Sequence, residues 1–502
     1  MLAAPARLSQ LISSVSASIS PMDTQTSLFR SNCAIKHGRD MLRFIMESVP
    51  TSVAGAGQLT WFERTWQGFC RLVVRIFYHR FEVVGAEHLP ADQGIILCAN
   101  HVNALADAVV LQAATTRAIR PLARSGLFDN PLLKPILNLI GAVPIYRRGD
   151  PGVDVNNNRD TFNRCYQLLA QGETLIIFPE GQSHDIPRLT ALKTGAARLA
   201  LETMAVTARE PAVVPVGLTF PQRGKFRSAV LVEFGNAVDL TFAAQQSEEA
   251  RVIELTERIR RGLEAVTLNA ESWEEINLIA RLERFFAFRH GKYRQRNLHQ
   301  RLRAQQRLID AQRLLRKYEP DRVRSLISQL KQFEKICSYC GVKDYQLNID
   351  YRPTLIALYL LRIVWMVLIV FPVAVWGLVN NYLPYQLTKR LSHYFAKGAN
   401  QYDTANMVLG LLFFSGFWLL QSYLVYHYFG LIWMLGYILT LIVGSFVALM
   451  VHGEMRRIRE NIRVFLLFLR RRDIKSYLRQ KRQALEKELA RMVRIANRLS
   501  HH

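Results

Sequence analysis

The sequence is short of acidic residues and of cysteines, and each shortage removes a class of reading. Asp and Glu number 40 against 65 Lys and Arg, leaving +25 over 502 residues. The excess is concentrated: Arg281 to Lys335 carries 16 basic against 5 acidic side chains, and His452 to His502 carries 15 against 5. Neither run is interleaved with base-stacking aromatics, and no nucleic-acid module is evident, so nucleic acid is not an expected partner. Basic stretches flanking apolar sequence suit anionic lipid headgroups instead. The six cysteines (Cys33, Cys70, Cys98, Cys165, Cys337 and Cys340) are scattered, which argues against a disulfide framework and for a reducing compartment. Cys337 and Cys340 match half of a zinc site, with no second CxxC or close His pair to complete it, so no metal is expected. Residues 1–57, rich in Ser, Ala and Thr, lack an apolar run long enough for a signal-peptide core and read as mobile. Ser183, His184 and Asp185 stand in a row without a GxSxG elbow, and adjacent residues project in different directions, which disfavours a serine hydrolase.

What is present centres on Ile95 to Leu111, IILCANHVNALADAVVL. The apolar run Ile95–Leu97, bounded by Gly94 and Asn100, has the length of a central strand, and Ala104 to Ala114 reads as a helix. His101 falls in the turn between them. Six residues along a regular helix would rotate Asp107 about 240° from His101, so the two meet only if the chain turns first. Asn103 is suited to be the N-cap of that turn. A neutral imidazole oriented by a carboxylate can deprotonate a hydroxyl as it attacks a carbonyl. Short strand candidates recur at 81–84, 142–146, 174–178, 213–218 and 229–234, with helices between several of them. The expected fold is an α/β domain, a mixed sheet flanked by helices, with the motif residues at strand ends.

Three further stretches follow: GAVPIYRR at Gly141 to Arg148, LIIFPEGQS at Leu175 to Ser183, and AVVPVGLTF at Ala212 to Phe220. In that order and at those intervals the set resembles the four sequence blocks of the glycerolipid acyltransferases. In that family four residues separate the His and Asp of the first block; here there are five. The NHVNALAD, FPEGQSHD and LKTGAARLAL spellings most resemble the branch that acylates glycerol 3-phosphate and dihydroxyacetone phosphate. The resemblance implies His101 as general base and Asp107 as its orienting partner. It implies that Arg147 and Glu180 hold the acceptor, with Gly181 and Ser183 completing the site. A guanidinium fork such as Arg147 suits a phosphate monoester. A fatty acyl thioester, of coenzyme A or acyl carrier protein, is the implied donor, and a glycerol phosphate the implied acceptor. No cofactor is expected, because a thioester is already activated. The same blocks are compatible with lysophosphatidic acid as acceptor, or with a non-enzymatic lipid-binding scaffold.

The expected domains are an acyltransferase domain over 58–246, opening with an amphipathic helix at Trp61 to Arg80; a basic helical segment over 247–350; a membrane region over 351–452; and a cationic helix over 453–502. The membrane region holds three apolar runs, Leu355 to Val379, Met407 to Tyr426 and Leu431 to Val451, each about the ~20 residues that span a bilayer. Three full spans would put the two basic flanks on opposite sides, against the positive-inside tendency. The expectation is therefore that the first run is re-entrant or interfacial, breaking near Pro372, and that the other two form a hairpin around His427 to Gly430. The catalytic domain would then face the cytoplasm. In the basic helical segment, the stripe Val323, Leu326, Ile327, Leu330 and Phe333 is expected to pack on the catalytic domain or lie on the bilayer.

Overall fold

The central strand forms where the apolar run predicts it. In the computed structural model, which describes residues 59–131, 133–146, 158–289, 297–348, 353–396 and 398–500, β2 (Ile95–Ala99) is buried at every position. The expectations for residues 1–57 and for Arg147 concern residues outside those described. β2 is flanked by β5 (Thr174–Ile177) and β6 (Ala212–Thr219), both parallel to it. A parallel strand covered on both faces has no polar side to show, which is why all three read as unbroken apolar runs.

The seven strands run in the order β1-β7-β6-β2-β5-β3-β4, with β1 Tyr78–Val84, β3 Ile119–Arg124, β4 Val143–Ile145 and β7 Ser228–Phe234. Only the β6–β7 pair is antiparallel, so the sheet is mixed. β3, spelled IRPLAR, was not legible in the sequence: two arginines and a proline hide a strand whose buried positions are only Ile119 and Pro121.

Helices cover both faces. On one, α1 (Trp61–Phe77) and α2 (Leu105–Ala114) pack Cys70, Val74, Val110 and Leu111 on the sheet; on the other, α4 (Asn158–Ala170), α5 (Gly195–Thr207) and α6 (Glu248–Val266) contribute Cys165, Leu199, Leu255 and Ile259. The short α3 (Lys134–Leu139) precedes β4. A capping box between Thr60 and Glu63 starts α1. Its inner side meets the core, and Trp61, Phe69, Leu72 and Ile76 remain exposed on the other. The helix therefore packs on the sheet and keeps an outward apolar face as well.

The chain forms two compact units, and the first does not end near residue 246. It holds 59–274 together with 387–413. α6 belongs to it because Val252, Leu255, Ile259 and Leu263 close the sheet's second face. The second unit, 275–386 with 414–500, contains most of α7 (Trp273–Arg289), and α8 (Leu298–Tyr318), α9 (Pro320–Tyr339), α10 (Pro353–Trp365), most of α11 (Phe371–Phe395), the later part of α12 (Ala399–Phe429), α13 (Leu431–Arg470) and α14 (Arg472–Ser500). The stripe on α9 packs within its own unit: Val323, Leu326 and Phe333 share a core with Leu485, Leu489 and Met492 of α14. Cys337 is buried in the same core. Burial, with Asp344, Cys340 and Glu334 nearby, pushes its thiol up to about 12, so it packs as a small apolar group.

Among the described residues, three helices are long and apolar enough to cross a membrane, Ile356–Phe395, Asn400–Phe429 and Leu431–Arg470. The first does not break at Pro372. A π-helical turn at Met366–Val370 widens the hydrogen-bond ladder just before the proline, whose missing N–H would otherwise leave a carbonyl unpaired, and the helix continues to Phe395. Lys389 and Arg390 lie within this helix. The turn between the last two apolar helices is at Gly430, with φ +87°. Gly377 and Gly444 let two of these helices touch backbone to backbone: a Cβ on Gly377 would lie 2.0 Å from the Gly444 carbonyl oxygen. Such small-residue contacts let apolar helices associate where no water drives them together. Gly377→Leu is expected to abolish the folded, monodisperse protein in detergent chromatography, while Gly416→Leu, where nothing stands within 4 Å, is expected to be tolerated.

Candidate active site

β2 ends at Ala99, and the side chain of Asn100 carries the pairing one step further. Its Oδ1 accepts from Leu218 N at 2.7 Å and its Nδ2 donates to Leu218 O at 3.0 Å, as a strand residue would. The backbone is thus free to turn away at the sheet's carboxyl edge, where His101 stands.

Asp107, fully buried on α2, organises the turn that follows. One oxygen, Oδ2, accepts from Val102 N at 2.9 Å, from Asn103 N at 2.8 Å and from His101 Nδ1 at 2.9 Å. An acceptor already bound to two N–H groups assigns the proton to Nδ1 and leaves Nε2 with its lone pair. The imidazole is stacked on Phe178, with ring centroids 4.1 Å apart, and retains 15% side-chain exposure, enough for a hydroxyl to reach it. The turn is not made by an Asn103 N-cap. The capping position is Ala104, at φ +45° and ψ −127°, and the Asn103 side chain points elsewhere. A non-glycine residue there is strained by ~1–3 kcal/mol and persists only where its surroundings hold it. The five-residue interval is absorbed in this turn.

The FPEG turn is the second half of the site. Glu180 has no side-chain exposure, and protein donors occupy both its oxygens: Oε1 accepts from His101 N at 2.8 Å, and Oε2 from Thr190 N at 3.0 Å, from Thr190 Oγ1 at 2.7 Å and from His184 Nε2. Burial alone would raise its carboxyl; the bonds from His184, Thr190 and His101 outweigh that and hold it below the usual range. Gly181, at φ +76°, lets the Lys193 side chain cross where a Cβ would meet its Cε and Nζ at 2.6 Å. Ser183 Oγ accepts from Ala104 N at 3.2 Å, tying the two turns together. Arg147, from the second block, lies outside the described residues. His101, Asp107, Glu180 and Ser183 are therefore brought to one place. Cys98, three residues from His101, is fully buried, and burial pushes its thiol up to about 12, so it offers no thiolate there.

Arg223 was not legible as a site residue. It is nearly buried, donates to Val102 O at 2.9 Å, pairs with Asp185 at 2.6 Å and lies over the Trp273 ring, so it straps the His101–Asp107 turn to the FPEG loop. Asn400, Asp403 and Thr404, contacting the same turns from more than 200 residues away, were also missed. A signal for one of them existed: Asp403 is the only acid between Asp350 and Glu454, and an ionisable group at the head of an apolar helix is costly unless it has partners.

A mixed α/β sheet that places a His–Asp pair and an FPEG turn at its carboxyl edge defines an acyltransferase domain. Residues 80–219 match the Acyltransferase family, and this domain belongs to the glycerolipid acyltransferase superfamily, near its glycerol-3-phosphate branch. Glycerol-3-phosphate O-acyltransferase 2 of Saccharomyces cerevisiae is 34% identical over 135 residues, 26% of this chain and 18% of that protein. Glycerol-3-phosphate O-acyltransferase 1 of the same yeast is 31% identical over 25% of this chain and 17% of its own length. The matched region thus spans under a fifth of either yeast relative. The chloroplastic 1-acyl-sn-glycerol-3-phosphate acyltransferase LPAT1 of Arabidopsis thaliana is 29% identical over 28% of this chain and 36% of its own. Among solved structures, the 1-acyl-sn-glycerophosphate acyltransferase PlsC of Thermotoga maritima aligns over 46% of this chain and 89% of its own, with 18% identity and a TM-score of 0.31.

Proposed function

We propose that the protein is a membrane-borne O-acyltransferase that moves a fatty acyl group from an acyl thioester to the hydroxyl of glycerol 3-phosphate or dihydroxyacetone phosphate, a step of phospholipid synthesis. The observation that carries the reading is the 2.9 Å contact from His101 Nδ1 to Asp107, with Nε2 bare at the sheet's carboxyl edge. The acceptor hydroxyl gives its proton to His101 Nε2 as its oxygen attacks the thioester carbonyl. The new C–O bond forms, the C–S bond breaks, and the departing thiolate takes the proton from Nε2, leaving ester and thiol. Asp107 stabilises the imidazolium between these steps. The transfer is direct, with no acyl-enzyme, and calls on no metal or cofactor. Glu180 acts through His101, by holding its backbone, and Arg147 supplies the cation for the acceptor phosphate. The thioester is carried by coenzyme A or acyl carrier protein, and the catalytic domain faces the cytoplasm, the side that the basic run Arg281 to Lys335 ahead of the first apolar helix favours.

The test is transfer from radiolabelled palmitoyl-CoA by the detergent-solubilised protein, with glycerol 3-phosphate, dihydroxyacetone phosphate and lysophosphatidic acid offered separately. Product from either of the first two is expected. Product from lysophosphatidic acid alone would move the reading to the acceptor named for the Arabidopsis relative. No product from any acceptor, with coenzyme A or acyl carrier protein as carrier, would overturn it.

A further inference from the structure

The first two turns of α12 are polar on one side, and that side is spent on the catalytic turns of the same unit. Asp403, nearly buried, collects three donors from three places: Asn103 Nδ2 at 2.6 Å, Gly224 N at 2.8 Å and Tyr78 OH at 3.4 Å. Thr404 Oγ1 accepts from Ala106 N at 3.1 Å and donates to Asn103 O at 3.2 Å. Asn400 Nδ2 donates to Ser183 O at 3.0 Å and to Ser183 Oγ at 3.1 Å. Met407, one turn on, is buried in the core face of the sheet.

Asn103 is therefore held from both ends, its main-chain N–H by Asp107 and its side chain by Asp403, 300 residues further along the chain. The strained Ala104 lies immediately after it, and its N–H is fixed by the Ser183 hydroxyl that Asn400 holds. Loss of these anchors frees Ala104 to relax toward ordinary φ, and the backbone that presents His101 to Asp107 moves with it. Displacement of a reacting group by about 1 Å can cost ~10²-fold in rate.

We infer that Asp403 is a positioning residue for acyl transfer: with Asn400 and Thr404 it locks the His101–Asp107 turn in its strained form, so a segment from the apolar C-terminal half completes the active site. The inference rests on the acyl-transfer reading for its kinetics, though not for the contact itself.

The experiment uses the full-length protein in detergent. Asp403→Asn leaves one donor among Asn103, Gly224 and the new amide facing another donor; it is expected to lower kcat by ~10–100-fold while changing KM for thioester and acceptor by less than about threefold. Exchanging the pair, Asn103→Asp with Asp403→Asn, restores an amide-to-carboxylate bond and keeps the charge, and is expected to recover most of the lost rate. A folded Asp403→Asn protein with wild-type kcat, or an exchanged pair no better than Asp403→Asn alone, would overturn the inference. If Asp403→Asn does not fold, the exchanged pair and Thr404→Val decide: a pair that folds and turns over supports it, and a Thr404→Val protein with unchanged kcat counts against it. Melting temperatures of Asn103→Ala, Asp403→Ala and the double variant read the contact without substrate. Additive losses would refute the anchor even in an active enzyme, whereas clear coupling in a protein that acylates nothing would refute only the acyl-transfer reading.

Discussion

His101→Ala is expected to lower kcat by ~10²–10⁴-fold, the usual loss when a general base is removed, with little change in KM. The melting temperature should fall only slightly. The imidazole is part-exposed, and removing it costs the stacking contact with Phe178, about 0.5–1.5 kcal/mol, and one of the three donors to Asp107, which keeps its two backbone donors. Steady-state kinetics beside a thermal melt check both halves. A variant that keeps near-normal kcat removes His101 from the chemistry.

Glu180→Gln is expected to act on both rate and stability, which separates a positioning carboxylate from one that touches substrate. Four protein donors converge on the carboxylate, and an amide in its place must aim its own N–H₂ at some of them. Breaking a buried, charged network of this kind costs about 3–5 kcal/mol. For a unit of this size that lowers the melting temperature by roughly 6–20 °C. Because Oε1 holds His101 N, kcat should fall by ~10²-fold. If Glu180 instead bound the acceptor directly, KM for the acceptor would rise and the melting temperature would stay near wild type. The stability difference should depend on pH in one direction. The folded-state carboxyl titrates below its usual value, so its contribution is fully present above the unfolded value and is lost as pH falls through the lowered one. The gap between wild type and Glu180→Gln should therefore be constant near neutrality and close below about pH 4.

The parts of this molecule legible in the sequence are those with a local cause. β2, β5 and β6 are buried on both faces and so are spelled in unbroken apolar residues, and the His101–Asp107 pair meets because the chain must turn where the strand ends. What was missed has non-local causes. Arg223 is recognisable only once its loop lies over Val102 and Asp185. Asn103 looked like a cap because its local options favour one, and the competing attraction came from Asp403. β3 escaped because a short strand at the side of a sheet tolerates the arginines and proline that argue against it. The π-helical turn before Pro372 overruled a break that proline alone would suggest, since widening one turn costs an apolar helix less than exposing unpaired backbone to lipid.

The unit that holds the sheet is discontinuous in sequence, and a ribosome makes sequence in order. Its last strand ends at Phe234, whereas its final segment closes at Phe413, about 180 residues later. At about 5–20 residues per second, the sheet waits roughly 10–35 s for the piece that completes it. Through that interval the chain carries His101 and Asp107 without the helix turn that fixes the loop between them. By the time the turn has been made, the first apolar helix, Ile356–Phe395, has already emerged. The loop between His101 and Asp107 thus receives its last contacts late in biosynthesis, after the first of the long apolar helices.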